Sequence, residues 1–285
     1  MCYDNNQSNF VPLLRAAGEN ILILYEHPFS PFAQKIKIAL REKAIPFEAV
    51  TPPDLGSGNE SKLIHSFGPR REVPTLVDDD GTCIFDSTII LEYLEDKYPA
   101  PSLLPANPAD RAKARTIEDV CDTHFEAITW GLNEVRFFGR GKGGLNDKLY
   151  QQAVIQVGHF YAWLTAELGA KDWLVGDTFG RADLSAIPIV SAFIVHGIPP
   201  ADESAVAKWM ARARQRPSVA KTEEESLAVV PLLEALQDAV VDGVFKRHYR
   251  DHRLEWMVRS GGLQVLLDGL GEGNIRFTET EQFLP

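Results

Sequence analysis

The sequence predicts an α+β N-terminal domain followed by an all-α helical-bundle C-terminal domain with an extra helical tail. An apolar run at residues 21–25 has the length and β-branched content of a buried strand, and helical periodicity follows it from Pro31 to Glu42. Prolines cluster at residues 99–108 in the manner of a linker, and the patterns beyond them are helical. We therefore expect three units, at residues 20–100, 108–222 and 223–285.

The first motif lies where the strand pattern gives way to the helix. Ser30 directly precedes the helical pattern, and Pro31 occupies its first position. A serine hydroxyl accepts hydrogen bonds from first-turn amides, and a proline at that position has no amide to leave unsatisfied. Alone, this pair predicts an ordinary helix N-cap.

The second motif, Glu72-Val73-Pro74, leads into another apolar segment, and an acidic turn at residues 78–81 precedes the next one. This pattern predicts a strand hairpin entered through proline. A cis peptide bond before Pro74 would expose the backbone N–H and C=O groups of Val73 for pairing with an extended peptide.

The third motif, Asp86-Ser87, closes the hairpin and opens a helical pattern at residues 88–98. A helix N-terminus that carries a serine hydroxyl suits a carboxylate ligand. Besides the helix amides, three side chains are candidate sources of positive charge for such a ligand: Lys35, Arg70 and Arg71.

The three motifs, in this order, resemble the glutathione transferase superfamily. Ser30-Pro31-Phe32 and the helical segment after it are most similar to the serine-type classes, which include the tau, zeta and theta enzymes. The resemblance implies a thioredoxin-like first domain with a mixed sheet and flanking helices. It also implies a cytoplasmic homodimer that uses glutathione as co-substrate.

Carried over by position, the resemblance makes Ser30 the catalytic residue, because its hydroxyl would donate to the glutathione sulfur. Val73 would hold the cysteinyl backbone ahead of a cis Pro74, and Asp86 with Ser87 would bind the γ-glutamyl end. The remaining glutathione-binding candidates are Phe32, Arg71 and Glu72. The candidates for an electrophile pocket between the domains are Phe29, Trp130, Phe137 and Phe138.

The chemistry explains why a hydroxyl belongs at a helix start. A cysteine thiol with a pKa of about 8.5 is mostly protonated at neutral pH, and only its thiolate attacks electrophiles. Lowering that pKa by about two units requires roughly 2.7 kcal/mol of differential stabilisation. One charged hydrogen bond and a helix dipole together reach this magnitude.

We expect a glutathione transferase that attacks a hydrophobic electrophile, by conjugation or by cleavage of an ether or halide. Two alternatives stay open: a transferase-like protein that binds apolar ligands without turnover, and a glutathione-dependent isomerase. Gly68 and Glu72 depart from the residues common in the family and favour the binding protein. A disulfide reductase is disfavoured, because the motif has serine at residue 30 rather than cysteine.

Composition and charge narrow the partners. The formal net charge of −11 argues against binding to nucleic acid or to anionic membranes. Three cysteines, no leader pattern in the first twenty residues and no span-length apolar run predict a soluble cytoplasmic protein. His248 and His252 have metal-ligand spacing but no evident third ligand, so we predict a surface pair and no metal.

Two further expectations concern the second half of the chain. Asp183 resembles the family residue that caps a buried helix, and Gly180 stands where that motif usually has serine or threonine. Beyond residue 222, apolar residues recur at helical spacing to residue 244. This extension could roof the electrophile site, extend a dimer contact, or cover the back of the helical domain.

Overall fold

The first domain is a four-stranded mixed sheet with helices, as predicted. The computed structural model describes residues 21–53, 55, 72–245, 249 and 251–285. The sheet order is β2-β1-β3-β4, in which β1 pairs with β2 in parallel and the other two pairs are antiparallel. Its elements are β1 Leu22–Tyr25, α1 Pro31–Glu42, β2 Phe47–Val50, β3 Thr75–Val77, β4 Cys83–Phe85 and α2 Ser87–Lys97.

The second domain is helical and follows an irregular proline-containing linker. A π-helical turn at Cys121–Phe125 joins α3 to α4, and the residues on either side of it, Val120 and Glu126, have right-handed helical backbone angles. The sequence predicted these two helices as one stretch. The helices are α3 Pro108–Val120, α4 Glu126–Arg136, α5 Leu145–Leu168, α6 Arg181–Val195, α7 Ala205–Ala213 and α8 Pro217–Ala228.

Helix α6 is the centre of the packing between the two domains. It is almost entirely buried, and both α1 and α3 pack against it, while α8 covers another part of α1. Leu22 and Leu24 of β1 and Ile36 and Leu40 of α1 are at most 2% exposed and belong to the same apolar core. The end of β1 and the start of α1 are therefore fixed from both domains.

Asp183 has the capping role that the sequence predicts. Its carboxylate accepts hydrogen bonds from the amides of Gly180 at 3.1 Å and Leu174 at 3.0 Å, and from the Trp209 indole at 2.8 Å. The structure also explains the glycine at residue 180. A Cβ atom there would lie 2.8 Å from the carbonyl oxygen of Leu103, so this close approach needs a glycine.

We expect Gly180→Ala to lower the free energy of unfolding by about 1–3 kcal/mol, because the added methyl group forces the linker away from α6. Urea unfolding followed by circular dichroism measures this change. Gly158→Ala is the matched control, since Gly158 is an exposed helix position with open space at its Cβ. The free energy of unfolding of that control should rise by about 0.5–1 kcal/mol. Equal effects of the two changes would contradict the prediction.

The C-terminal extension is not one long helix. The predicted helical spacing to residue 244 is broken into short helices, and Pro231 lies in the first turn of one of them. The extension contains α9 Val230–Glu234, α10 Gln237–Val241, α11 His252–Arg259, α12 Leu263–Gly271 and a 3-10 turn at Thr280–Phe283. In the described part of the chain, every helix is too short or too polar to cross a membrane.

Candidate functional site

The register of the sheet brings the three sequence motifs to one edge. Thr75 of β3 pairs with Tyr25 of β1 on one side and with Phe85 of β4 on the other. Pro74 immediately precedes Thr75, and Asp86 immediately follows Phe85. The loop that leads to Ser30 starts at the same edge, directly after Tyr25, so the antiparallel pairing assembles residues that are distant in sequence.

Ser30 is the N-cap of α1. Its Oγ atom accepts a hydrogen bond of 3.4 Å from the amide of Ala33, and Pro31 occupies the first helical position. The Ser30 amide donates to the carbonyl of His27 at 2.8 Å, which fixes the entry of the chain into the helix. Accepting a bond at Oγ does not use the hydroxyl proton, so this side chain can cap its helix and still donate to an anion.

The peptide bond between Val73 and Pro74 is cis, as predicted. Val73 is half-buried and Pro74 is buried, and the Thr75 hydroxyl donates to the carbonyl of Glu72 at 3.0 Å. The candidates Arg70 and Arg71, together with Gly68 and His248, lie outside the described residues.

Asp86 is the N-cap of α2, so this helix begins at Ser87. The Asp86 carboxylate accepts from the amides of Thr88 at 3.0 Å and Ile89 at 3.3 Å. Asp86 has a φ angle of 73°, which is uncommon for a residue with a side chain and tends to occur at functional sites. Ser87 is 6% exposed. A carboxylate already held by helix amides is well placed to accept from a ligand ammonium group.

A buried ionic network, which the sequence analysis missed, joins the starts of α1 and α2. Lys35 Nζ contacts Glu118 Oε1 at 2.8 Å and also pairs with Asp122, and the Thr88 hydroxyl donates to the same Glu118 oxygen at 3.1 Å. The other Glu118 oxygen pairs with Arg181. Lys35, Glu118 and Arg181 are each at most 2% exposed.

Burial and neighbouring charges together shift the pKa values of the side chains in this network. Burial by itself lowers the pKa of Lys35, but Asp122 and Glu118 beside it raise that pKa above its ordinary range. Burial raises the pKa of Asp122 to about 6. Burial also acts to raise the pKa of Glu118, but Lys35 and Arg181 lower it below its ordinary value.

The sequence makes Lys35 a candidate source of positive charge for a ligand, but in the structure its charge is buried and paired with Glu118 and Asp122. It is a buried cation held by α3 and its π-helical turn. The available sequence signal was the spacing of Glu118 and Asp122, which lie four residues apart on one helical face.

The apolar candidates form a cluster with the C-terminal extension. The Phe29 ring meets Phe137 edge-on at 5.5 Å between ring centroids, and Phe138 stacks on Phe245 at 5.6 Å. Phe137 is 0% exposed and Phe138 is 5% exposed. Trp130 is half-buried and meets Tyr249 edge-on at 4.6 Å. The structure thus joins Phe29, which directly precedes Ser30, with Phe137 and Phe138 in one apolar cluster. Leu233 and Phe245 of the extension belong to the same cluster.

His196 borders this cluster and makes stability depend on pH. Its Nε2 atom lies 2.9 Å from Asn133 Oδ1, and its ring is 5.7 Å from Phe137. Burial, with a smaller contribution from Arg136, lowers the pKa of His196 to about 4 from an ordinary value of 6.5. Between these values the unfolded chain binds a proton that the folded chain does not, so acid favours unfolding.

We expect the free energy of unfolding to fall by about 3 kcal/mol through His196 as the pH falls from 6.5 to 4. The measurement is urea unfolding of the protein and of His196→Gln at pH 7, 5.5 and 4.5. The variant keeps a donor for Asn133 but does not titrate, so its stability should fall less over this range. Parallel pH dependences would contradict the prediction.

The described residues contain one group of three acidic side chains close enough to share an ion, Asp78 to Asp80. Lys97 pairs with both Asp78 and Asp79, and the Tyr93 hydroxyl also donates to Asp78. These contacts explain the cluster as a turn held to α2. His252 begins α11, whereas its predicted neighbour on that face, His248, is outside the described residues.

Comparisons with known proteins show the family to which the chain belongs. Models of the glutathione S-transferase N-terminal and C-terminal domains match residues 24–102 and 134–217. The chain is 32% identical to glutathione S-transferase U28 of Arabidopsis thaliana over 69% of this chain and 86% of that one. It is 29% identical to maleylacetoacetate isomerase of Pseudomonas aeruginosa over 58% of this chain and 78% of that one.

Among solved structures, rice GST1 in complex with glutathione aligns with a TM-score of 0.64 and 27% identity, covering 78% of this chain and all of that one. The thioredoxin-like first domain and the helical second domain both match this fold. The sequence identity, the domain models and the assembled motifs agree, and the chain belongs to the glutathione S-transferase family.

Proposed function

We propose that this protein is a glutathione transferase in which Ser30 stabilises the thiolate of bound glutathione for attack on a hydrophobic electrophile. The observation that carries the proposal is the placement of Ser30 at the N-terminus of α1, at the same sheet edge as the cis peptide of Val73 and Pro74 and the cap residue Asp86. These positions suit the sulfur, the cysteinyl backbone and the γ-glutamyl group of one tripeptide.

The proposal requires Ser30 only to stabilise the thiolate of glutathione. Its hydroxyl donates to the sulfur while the first-turn amides of α1 supply a partial positive charge, and both favour the anion. The thiol proton leaves to solvent when the thiolate forms. The sulfur lone pair then forms a C–S bond, and the leaving halide or oxygen departs with the electron pair of the bond that breaks.

The buried network serves this site by fixing two helix starts relative to each other. Glu118 contacts Lys35, five residues after Ser30, and Thr88, two residues after Asp86. Under the proposal, α1 holds the sulfur end of glutathione and α2 holds its γ-glutamyl end. A single carboxylate bound to both helices fixes the two ends of the site relative to each other.

A glutathione-dependent isomerase is the second candidate, supported by the similarity to a maleylacetoacetate isomerase. Such an enzyme adds glutathione to its substrate and releases it again, so glutathione is not consumed. Substrate turnover with constant free thiol would distinguish this reaction from conjugation. We also propose a cytoplasmic homodimer, as the family resemblance implies, and sedimentation at micromolar concentration tests the assembly.

The deciding experiment is a pH titration of glutathione bound to the purified protein, followed by thiolate absorbance in the ultraviolet. The proposal expects the bound thiol to ionise about two pH units below free glutathione. A second titration with S-methyl glutathione, which cannot ionise at sulfur, subtracts the signal of the protein. If glutathione binds but its thiol ionises at the same pH as that of free glutathione, a binding protein is favoured over an enzyme.

A further inference from the structure

The loop between β1 and α1, residues 26–30, is held at two points by side chains of α1. Its first residue, Glu26, is 3% exposed, and Lys37 Nζ lies 3.2 Å from Glu26 Oε2. The same Lys37 atom lies 3.0 Å from Glu225 Oε2 of α8. A buried cation shared between the loop and α8 therefore fixes the start of the loop against the second domain.

The second point of attachment is Gln34, one helical turn after Ser30. Its Nε2 atom donates to the carbonyl of Pro28 at 3.2 Å and to Ser226 Oγ of α8 at 3.0 Å. An amide nitrogen has two hydrogens, so both bonds can form at the same time, and a carbonyl oxygen only accepts, so Nε2 must face Pro28. Gln34 is 6% exposed, and loss of either bond therefore leaves a buried polar group unpaired.

The two attachments lie side by side. Gln34 and Lys37 are three residues apart and share a face of α1. Their partners, Glu225 and Ser226, are neighbours in α8, which packs along α1. The start of the loop is held by charge and its middle by a neutral amide, so the second attachment can be removed without leaving a buried charge unpaired.

The peptide bond between Pro28 and Phe29 is held from both sides. Its carbonyl accepts from Gln34, and its N–H group donates to His27 Nδ1 at 3.2 Å. The next amide, that of Ser30, donates to the carbonyl of His27. Rotation of this peptide would turn its carbonyl away from Gln34 and would move Phe29 and Ser30, which follow it directly.

We propose that Gln34 is a positioning residue for Ser30, because its bond to the Pro28 carbonyl sets the direction in which the Ser30 hydroxyl points at the sulfur of glutathione. This inference rests on the proposed function. Hydrogen bonds weaken steeply as they bend, so a hydroxyl at the wrong angle stabilises a thiolate less. The bond to Pro28 acts on the loop, whereas the bond to Ser226 joins α1 to α8, and the two can be removed separately.

The test is the ultraviolet titration of bound glutathione in Gln34→Met, which replaces the amide by an apolar side chain of similar length. Ser226→Ala is the matched control, since it removes the bond between Gln34 and α8 and leaves the bond to Pro28. We expect the pKa of the bound thiol to rise by about one in Gln34→Met, so that the thiolate fraction at pH 7 falls about threefold. In Ser226→Ala that pKa should change by less than about 0.3.

A purely structural Gln34 would lower the free energy of unfolding and leave this titration unchanged in the folded protein. An unchanged pKa of the bound thiol in Gln34→Met would overturn the inference. Equal shifts in Gln34→Met and Ser226→Ala would also overturn it, because packing between α1 and α8 would then be the cause. If Gln34→Met does not fold, Gln34→Asn gives the same test, since its amide is one methylene shorter and is withdrawn from Pro28.

Amide hydrogen exchange in the ligand-free protein tests the loop independently of glutathione. The amides of Phe29 and Ser30 should exchange at least about tenfold faster in Gln34→Met and stay within about twofold of the unmodified rate in Ser226→Ala. Exchange that stays within about twofold in Gln34→Met would overturn the inference. If exchange accelerates but the glutathione thiol ionises at its ordinary pH even in the unmodified protein, the transferase is rejected and the attachment of the loop by Gln34 is retained.

Discussion

Ser30→Ala is expected to return the pKa of bound glutathione to about 8.5, from about 6.5 in the unmodified protein. At pH 7 the bound thiolate would then fall from about three quarters of the thiol to about 3%, a loss of about 25-fold. A thiolate of higher pKa is intrinsically more nucleophilic, which offsets part of this loss. The Ser30 hydrogen bond also positions the sulfur, so we expect kcat/KM at pH 7 to fall at least tenfold.

Ser204→Ala is the control for the loss of a helix cap. Ser204 caps α7 by accepting from the amide of Ala207 at 3.1 Å, as Ser30 caps α1, but it lies in a different part of the fold. Both variants should lose about 1 kcal/mol of stability. Only Ser30→Ala should change the ultraviolet titration of bound glutathione. If bound glutathione titrates alike in Ser30→Ala and in the unmodified protein, Ser30 is a structural cap alone.

The parts of the site that the sequence predicted are those encoded over a few residues. Pro31–Glu42 was predicted with the bounds that the helix has, because a strand, a capping serine and a first-turn proline follow one another directly. The proline of Val73-Pro74 and the start of a helix at Asp86-Ser87 were also local signals, although the cap itself, at Asp86, is seen only in the structure. Because β3 pairs with both β1 and β4, these short signals come together at one sheet edge once the sheet order is known.

The parts that the sequence could not supply depend on contacts between distant residues. The periodicity of α1 does not reveal that Lys35 is buried, because its partner Glu118 is 83 residues away. The extension is a similar case, since Phe245 stacks on Phe138 across more than a hundred residues. Helical spacing indicated that the extension packs on something, but only the structure places its first part over the apolar candidates.

Glu118→Ala is expected to lower the free energy of unfolding by about 3 kcal/mol, because it removes the central carboxylate between two buried cations. Lys35 keeps Asp122 and Arg181 keeps Glu92, so the loss falls at the lower end of the range of about 3–5 kcal/mol for broken buried pairs. Loss of the Glu118 charge also removes one of the repulsions that raise the pKa of Asp122. That pKa should therefore fall below about 6 in the variant.

Urea unfolding at pH 7 measures the stability, and Glu224→Ala is the control. Glu224 pairs with Lys221 at 3.0 Å, but their side chains are 70% and 55% exposed, so that loss should be below about 1 kcal/mol. Glu118→Ala should also weaken glutathione binding, because the starts of α1 and α2 lose their shared contact. A carboxylate with a purely structural role changes the free energy of unfolding but leaves the glutathione affinity of the folded protein unchanged. If Glu118→Ala is destabilised and still binds glutathione with the affinity of the unmodified protein, the network stabilises the fold without positioning the site.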